Sequence, residues 1–280
     1  MKITIDKYNE GVRKDNTGHY VFDRHFDFDS DVLKLTADTS GKNTVGNLTY
    51  YYGYEFNDNV DIVEQSAFRR ALKHDMHDPN IFYSDDVDNF VEDGIYRMNS
   101  MKKLNDFSLV ISTASKYGEQ SLTGAMCVVI WDYVKPNVET LDQYNLQLFK
   151  KRCKDVTFDE ERAKEALLQT AKYGNNLRKL EDAISSLKIQ FERTKKSNGL
   201  FTMKVYKPVI GRAGFIDFLK FKDEHDQNVY RNLREGKEVL ICDDFLTSGS
   251  TVKEIIRFLN TINPNVNISV FVLVNQLRNY

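Results

Sequence analysis

The chain has 280 residues, 41% of them hydrophobic and 29% charged, with a formal net charge of −2 at pH 7. This is the composition of a folded globular protein rather than a disordered one, long enough for one large domain or a domain carrying an insertion. The charge balance supplies no global basic field, so nucleic acid is not an expected partner, and no apolar run reaches the roughly 20 residues of a membrane helix.

The N-terminal stretch MKITIDKYNE lacks an apolar signal core, which makes a cytoplasmic protein the expectation. Cys127, Cys153 and Cys242 lie far apart without a C-x-x-C pair, as reduced thiols in that compartment would. Residues 1–43 are polar and aspartate-rich and read as an irregular lobe or short strands. Residues 44–56, TVGNLTYYYGYEF, have strand composition. From residue 60 to 74 the pattern is helical, with Ile62, Val63, Ala67, Phe68, Ala71 and Leu72 as one apolar stripe. NIFYS is a candidate strand, 85–105 a helix with a weak centre, and FSLVIST a buried strand. Residues 115–120 form a polar loop, and 122–133 an apolar helix or strand.

Between residues 139 and 196 charge density rises and Gly and Pro nearly vanish. Leu177, Leu180, Ile184, Leu187 and Phe191 recur at spacings of three and four, which suits a helical hairpin or a short coiled-coil arm. Strand-like segments follow in LFTMKVYKPVI and GFIDFLKF. The chain then closes with EVLICDD, a helix over 250–259 and a last strand, NISVFVLVN. Strands that are continuous apolar runs, alternating with helices, argue for a parallel α/β sheet.

The most informative stretch is EVLICDDFLTSGST. Its apolar run would be a strand buried on both faces, and ligands of such sheets bind beyond the carboxyl ends of the strands. Asp243 and Asp244 emerge there. Thr247, Ser248, Gly249, Ser250 and Thr251 then lie between strand and helix, where outward-pointing amides, the helix dipole and hydroxyl donors make a monophosphate cradle. Gly249 permits a tight backbone approach. The carboxylates would repel phosphate. They suit sugar hydroxyls, or a Mg²⁺ shared with the substrate's oxygens. A ribose 5-phosphate satisfies both halves. The bland alternative is a capping box, Thr251-x-x-Glu254, at an ordinary helix start.

VLICDDFLTSGST resembles the signature of type I phosphoribosyltransferases: apolar residues, two acids, a short apolar step and a T-x-G-x-T loop. The resemblance implies a parallel sheet flanked by helices that binds 5-phosphoribosyl 1-pyrophosphate (PRPP) with Mg²⁺ and replaces pyrophosphate at C1 with a nitrogen nucleophile. It implies that Asp243 and Asp244 hold the ribose hydroxyls and residues 247–251 the 5-phosphate. Members acting on 6-oxopurines carry an aspartate as the first phosphate-loop residue. Thr247 stands there and cannot serve as a carboxylate base, so a 6-oxopurine acceptor is disfavoured. The family also has members that bind PRPP without turnover, and a non-catalytic PRPP- or nucleotide-binding regulator is the alternative reading. Dimers are common in the family, which makes a homodimer one assembly to test.

A transferase needs a second anion site for pyrophosphate. LVISTASKYGEQ supplies the candidate, with Ser112, Thr113, Ala114, Ser115 and Lys116 in the loop; a surface loop with a solvated lysine is its alternative. ComF-like members carry an arginine-containing loop and a basic helix before the acidic pair. Lys207, Arg212, Arg231 and Arg234 fall in that region here, Arg212 being the better pocket candidate and the two later arginines reading as surface charge. The sequence ends a few residues past its last expected strand, so the acceptor base is expected to meet the N-terminal lobe or the helical insertion. The organisation expected is an N-terminal lobe or hood over 1–43, a core over 44–136 and 197–280, and a helical insertion over 137–196. FDFDSDV lacks the glycine and closing glutamate of a calcium loop, and His74 and His77 in HDMHD read as a helix end rather than a metal site.

Overall fold

The computed structural model describes residues 10–23, 33–35, 41–45, 48–56, 60–74, 78, 81–82, 85–113, 122–134, 145–196, 199–208, 210–246 and 249–276. In chain order, the first strands are β1 (Glu10–Lys14), β2 (Tyr20–Asp23), β3 (Leu33–Leu35), β4 (Gly41–Val45) and β5 (Leu48–Phe56). Helices α1 (Ile62–His74) and α2 (Asp86–Met101) lead to β6 (Phe107–Ser112), α3 (Leu122–Val134) and β7 (Asn145–Lys150). Next come β8 (Thr157–Phe158), α4 (Glu160–Leu168), α5 (Ala171–Gly174), α6 (Leu177–Lys196), β9 (Phe215–Ile216) and β10 (Leu219–Phe221). The chain closes with α7 (Glu224–Arg231), β11 (Glu238–Leu246), α8 (Ser250–Ile262) and β12 (Asn267–Asn275).

The centre of the main sheet is six strands in the order β10-β7-β6-β11-β12-β5. From β7 to β5 every neighbouring pair is parallel, and β10 closes the edge antiparallel to β7. Beyond β5 the N-terminal strands β3, β1 and β2 extend the sheet antiparallel, with β4 also paired to β5. The central strands are apolar at consecutive positions because helices cover both faces. In β11, Leu240 and Cys242 join a core with α1, α2 and α3, whereas Val239 and Ile241 join the opposite core with α6, α7 and α8. This is the α/β architecture expected from the sequence.

Four local expectations need correction. The apolar stripe of α1 begins late: Ile62 and Val63, in its first turn, are exposed, and burial starts with Phe68, Ala71 and Leu72. NIFYS forms, among its described residues, a single bridge between Phe82 and Tyr20 rather than a strand. LFTMKVYKPVI is a 3-10 turn at Met203–Val205 rather than a strand; its Phe201 and Tyr206 instead stack on one another and pack around Phe215. Finally, the stretch read as wholly helical contributes β7 to the main sheet. Its Leu146 and Leu148 alternate into the core, a period of two that the surrounding charge concealed.

The repeat on α6 packs on its own chain. Leu180 and Ile184 bury against α4 and α5, Leu187 and Phe191 reach the main core, and Leu177 stays exposed. The weak centre of α2 is Gly94. A Cβ there would lie 2.5 Å from Leu273 Cδ1 and 3.1 Å from Tyr54 Cε2, so the helix needs glycine to lie close on β5 and β12.

Candidate active site

After β6 the chain crosses by α3 on one face to β7; after β11 it crosses by α8 on the other face to β12. The strand order therefore reverses between neighbours β6 and β11, and their carboxyl ends open a crevice of the kind in which α/β sheets bind ligands. Pairing between them ends at Cys242 opposite Ser112, while β11 runs on beside β12 as far as Leu246. The strand thus continues through the acids instead of stopping at them. Asp243 and Asp244, both half-buried, stand at the crevice because β6 has already ended.

Thr113 closes β6 across this gap. Its amide donates to the Cys242 carbonyl at 3.0 Å, and its hydroxyl donates to Asp243 Oδ1 at 3.0 Å. The Asp244 amide donates to the same oxygen at 3.0 Å, and the Phe245 amide donates to Asp244 Oδ1 at 2.7 Å. Lys73, near the end of α1, forms an ion pair with Asp244 Oδ1 and lies 5.4 Å above the Phe245 ring. Beneath the acids, Cys242 is fully buried. Burial first, and Cys127 beside it, push its thiol well above the ordinary range, so the floor of the site is neutral.

Burial and, next, the charge of Asp244 push Asp243 up to about 7, against the opposing pull of Lys73, Thr113 and the Asp244 amide. The two carboxyls thus differ in role. Asp244 is neutralised by a cation, and Asp243 exchanges a proton near neutrality. Ionised, the two neighbouring carboxylates are acceptors that suit the two hydroxyls of a vicinal diol.

Gly249 precedes α8 with φ 67°, a left-handed conformation that favours glycine. A Cβ would meet nothing nearer than Leu246 Cδ1 at 3.9 Å, so within the chain the backbone conformation, not crowding, calls for glycine. As N-cap it offers no side-chain acceptor to the first amides of α8. The capping-box alternative is not what forms: Glu254 is buried and bound to Arg257 at 2.7–3.0 Å and to Arg162 at 3.5 Å.

The structure therefore brings Thr113, Asp243 and Asp244 together and starts α8 at Ser250 and Thr251 beside them in the chain. Ser112 is buried in the strand before the gap. Ala114, Ser115, Lys116, Thr247 and Ser248 lie outside the described residues. Arg212 sits in the 3-10 turn Ile210–Gly214, packed against α4, α6 and α8, and donates from Nε to the Tyr206 carbonyl at 2.9 Å. No described contact brings it to the acids. Arg231 is exposed and bonded to Asn228, as a helix-surface residue. Lys73 is the site residue that sequence reasoning missed.

The family model of the phosphoribosyl transferase domain matches residues 220–279, from β10 through β12 and beyond, including the acidic pair and the start of α8. This supports the type I phosphoribosyltransferase resemblance, and with it phosphoribosyl transfer from PRPP as the general activity of the domain; the ComF-like features draw no support from it. Curated proteins include no match to the chain. Among the described residues no helix is long and apolar enough to cross a membrane, and no group of three or more His, Cys, Asp or Glu forms a metal cage. Two carboxylates without a cage fit Mg²⁺, which keeps several waters and is completed by substrate oxygens.

Proposed function

We propose that this chain transfers the 5-phosphoribosyl group of PRPP to a nitrogen acceptor other than a 6-oxopurine. The bond from C1 to the pyrophosphate oxygen breaks, a C1–N bond forms, pyrophosphate leaves, and the acceptor nitrogen gives up its proton. The observation that carries this reading is Asp243 and Asp244 at the strand reversal between β6 and β11, followed by a glycine-capped helix. Asp243 and Asp244 would hold the ribose hydroxyls and, with substrate oxygens, Mg²⁺. Residues 247–251 would hold the 5-phosphate and residues 112–116 the pyrophosphate. Mg²⁺ would supply charge neutralisation as pyrophosphate departs. Fixed amides aimed at that charge favour the transition state over the ground state.

Lys73 on Asp244 favours a second reading. A carboxylate already neutralised by a lysine is a weaker partner for Mg²⁺, as a PRPP- or nucleotide-binding regulator would tolerate. Pyrophosphate release on adding a panel of purine, pyrimidine and amine acceptors to chain, PRPP and Mg²⁺ separates the two. Release with one acceptor supports the transferase and identifies that acceptor. Binding of PRPP without release for any acceptor supports the regulator. Efficient turnover of hypoxanthine or guanine would sink the inference from Thr247.

A further inference from the structure

Beyond the acidic site, the clearest unassigned feature is a concavity of about 400 Å³ lined by Lys150, Lys151, Arg152, Asp155, Leu200 and Lys220. Its net charge is +3, on a chain whose formal charge is −2. It lies where β7 runs out at the carboxyl edge of the sheet, against the edge strand β10. That is two strands, roughly 10 Å of lateral spacing, from β11 and its acids.

The backbone around it is tied down. Lys151 donates its amide to the Phe218 carbonyl at 2.8 Å and accepts from the Phe201 amide at 2.9 Å. The Cys153 amide donates to the Gly199 carbonyl at 2.9 Å, and Arg152 bridges Leu200. Three segments of chain therefore fix the backbone from which the cations extend. Among the described residues no carboxylate pairs with Lys151, Arg152 or Lys220. Asp155 is the one acid in this lining, so the like charges of Lys151, Arg152 and Lys220 repel one another in excess of it, and a multiply charged anion relieves that repulsion. Leu200, 56% exposed, gives the same cavity an apolar wall, and Asp155 offers an acceptor for a hydroxyl or amino group.

We propose that this concavity binds a phosphorylated small molecule of nucleotide size. Its phosphates sit on Lys151, Arg152 and Lys220, its flat apolar part lies on Leu200, and a polar substituent reaches Asp155. The volume falls within the range of small-ligand sites, and a guanidinium with two ammonium groups suits phosphate oxygens. The inference does not depend on the phosphoribosyl reading, because none of these residues belongs to the acidic site.

The test is calorimetric titration of ATP, GTP and inorganic pyrophosphate into the full chain at low salt in EDTA, which removes Mg²⁺. The comparison is with Arg152→Ala/Lys220→Ala, with Lys151→Ala and with Asp243→Asn, each checked for an unchanged far-UV spectrum. Saturable binding of at least one of these anions is expected, weakened about tenfold or more in the double variant and in Lys151→Ala and unchanged in Asp243→Asn. Absence of saturable binding for all three anions would overturn the proposal. So would binding lost in Asp243→Asn but kept in the double variant, which would put the anion in the acidic site. A short single-stranded RNA that binds more tightly than any nucleotide, through the same cations and with a steep salt dependence, would assign the surface to nucleic acid instead.

Discussion

Lys73 Nζ forms an ion pair with Asp244 Oδ1, joining α1 to the strand end of β11 across 171 residues of sequence. Side-chain exposures of 24% and 13% make this pair neither a free surface contact nor a fully buried one. Removing the cation leaves two carboxyls side by side. Lys73→Met is therefore expected to destabilise the chain by about 1–2 kcal/mol, read as a lower urea midpoint with an unchanged slope. A midpoint equal to that of wild type would mean that solvent screens the pair completely.

The pH dependence of ligand binding follows from Asp243. Burial and Asp244 raise its carboxyl to about 7, so the charged form that accepts from ribose hydroxyls predominates only above that pH. PRPP affinity is expected to fall as pH drops below about 7, by up to tenfold per unit for one proton. Lys73→Met removes a charge that lowers the Asp243 value and moves this midpoint up; Asp244→Asn removes one that raises it and moves the midpoint down. Because the folded value exceeds the unfolded one, Asp243 also favours the fold most at low pH, an effect that fades as pH rises through about 7. A pH-independent affinity between 5.5 and 8.5, roughly the window around that value, would contradict this.

Gly94 tests the packing of α2. In an exposed helix, replacing glycine with alanine stabilises by about 1 kcal/mol. Here the new methyl would stand 2.5 Å from Leu273 Cδ1. Gly94→Ala is expected to cost about 1–3 kcal/mol in chemical unfolding, the range of overpacked cores. A stabilised variant would show that Leu273 moves aside freely.

The α8 helix is tied to the helical segment through Glu254. This carboxylate is 3% exposed and holds Arg257 through both oxygens, whereas Arg162 reaches it at 3.5 Å from a position 35% exposed. Glu254→Ala leaves Arg257, 28% exposed, with Asp217 at 3.2 Å as its remaining partner and is expected to cost about 2 kcal/mol; Arg162→Ala is expected to cost no more than about 1 kcal/mol. Equal losses would mean that the bond between helical segment and α8 is as strong as the one inside α8.

The sequence disclosed those parts that are written locally. Val239, Leu240, Ile241 and Cys242 are apolar in succession because helices cover both faces of β11, and such a run reads as a buried parallel strand at once. The acids and Gly249 are legible for the same reason, being neighbours in the chain. Lys73 carries no local mark. Its partner lies 171 residues away, and on α1 it looks like any solvated lysine at a helix end. Strand β7 was hidden because Leu146 and Leu148 stand before KKRCK in a charged region, and two alternations are too few to outweigh that composition. Thr113 was legible as a loop residue, but its hydroxyl bond to Asp243 depends on β6 and β11 being neighbours, which only the strand order decides.

The central claim is that Asp243 and Asp244 hold PRPP with Mg²⁺ in the crevice between β6 and β11. Calorimetric titration of PRPP with Mg²⁺ into the chain and into Asp243→Asn/Asp244→Asn addresses it most directly. Saturable binding to the wild-type chain, lost in the double variant while its thermal unfolding stays cooperative, is the expected result. Absence of binding to the wild-type chain, or equal binding to both proteins, would contradict the account.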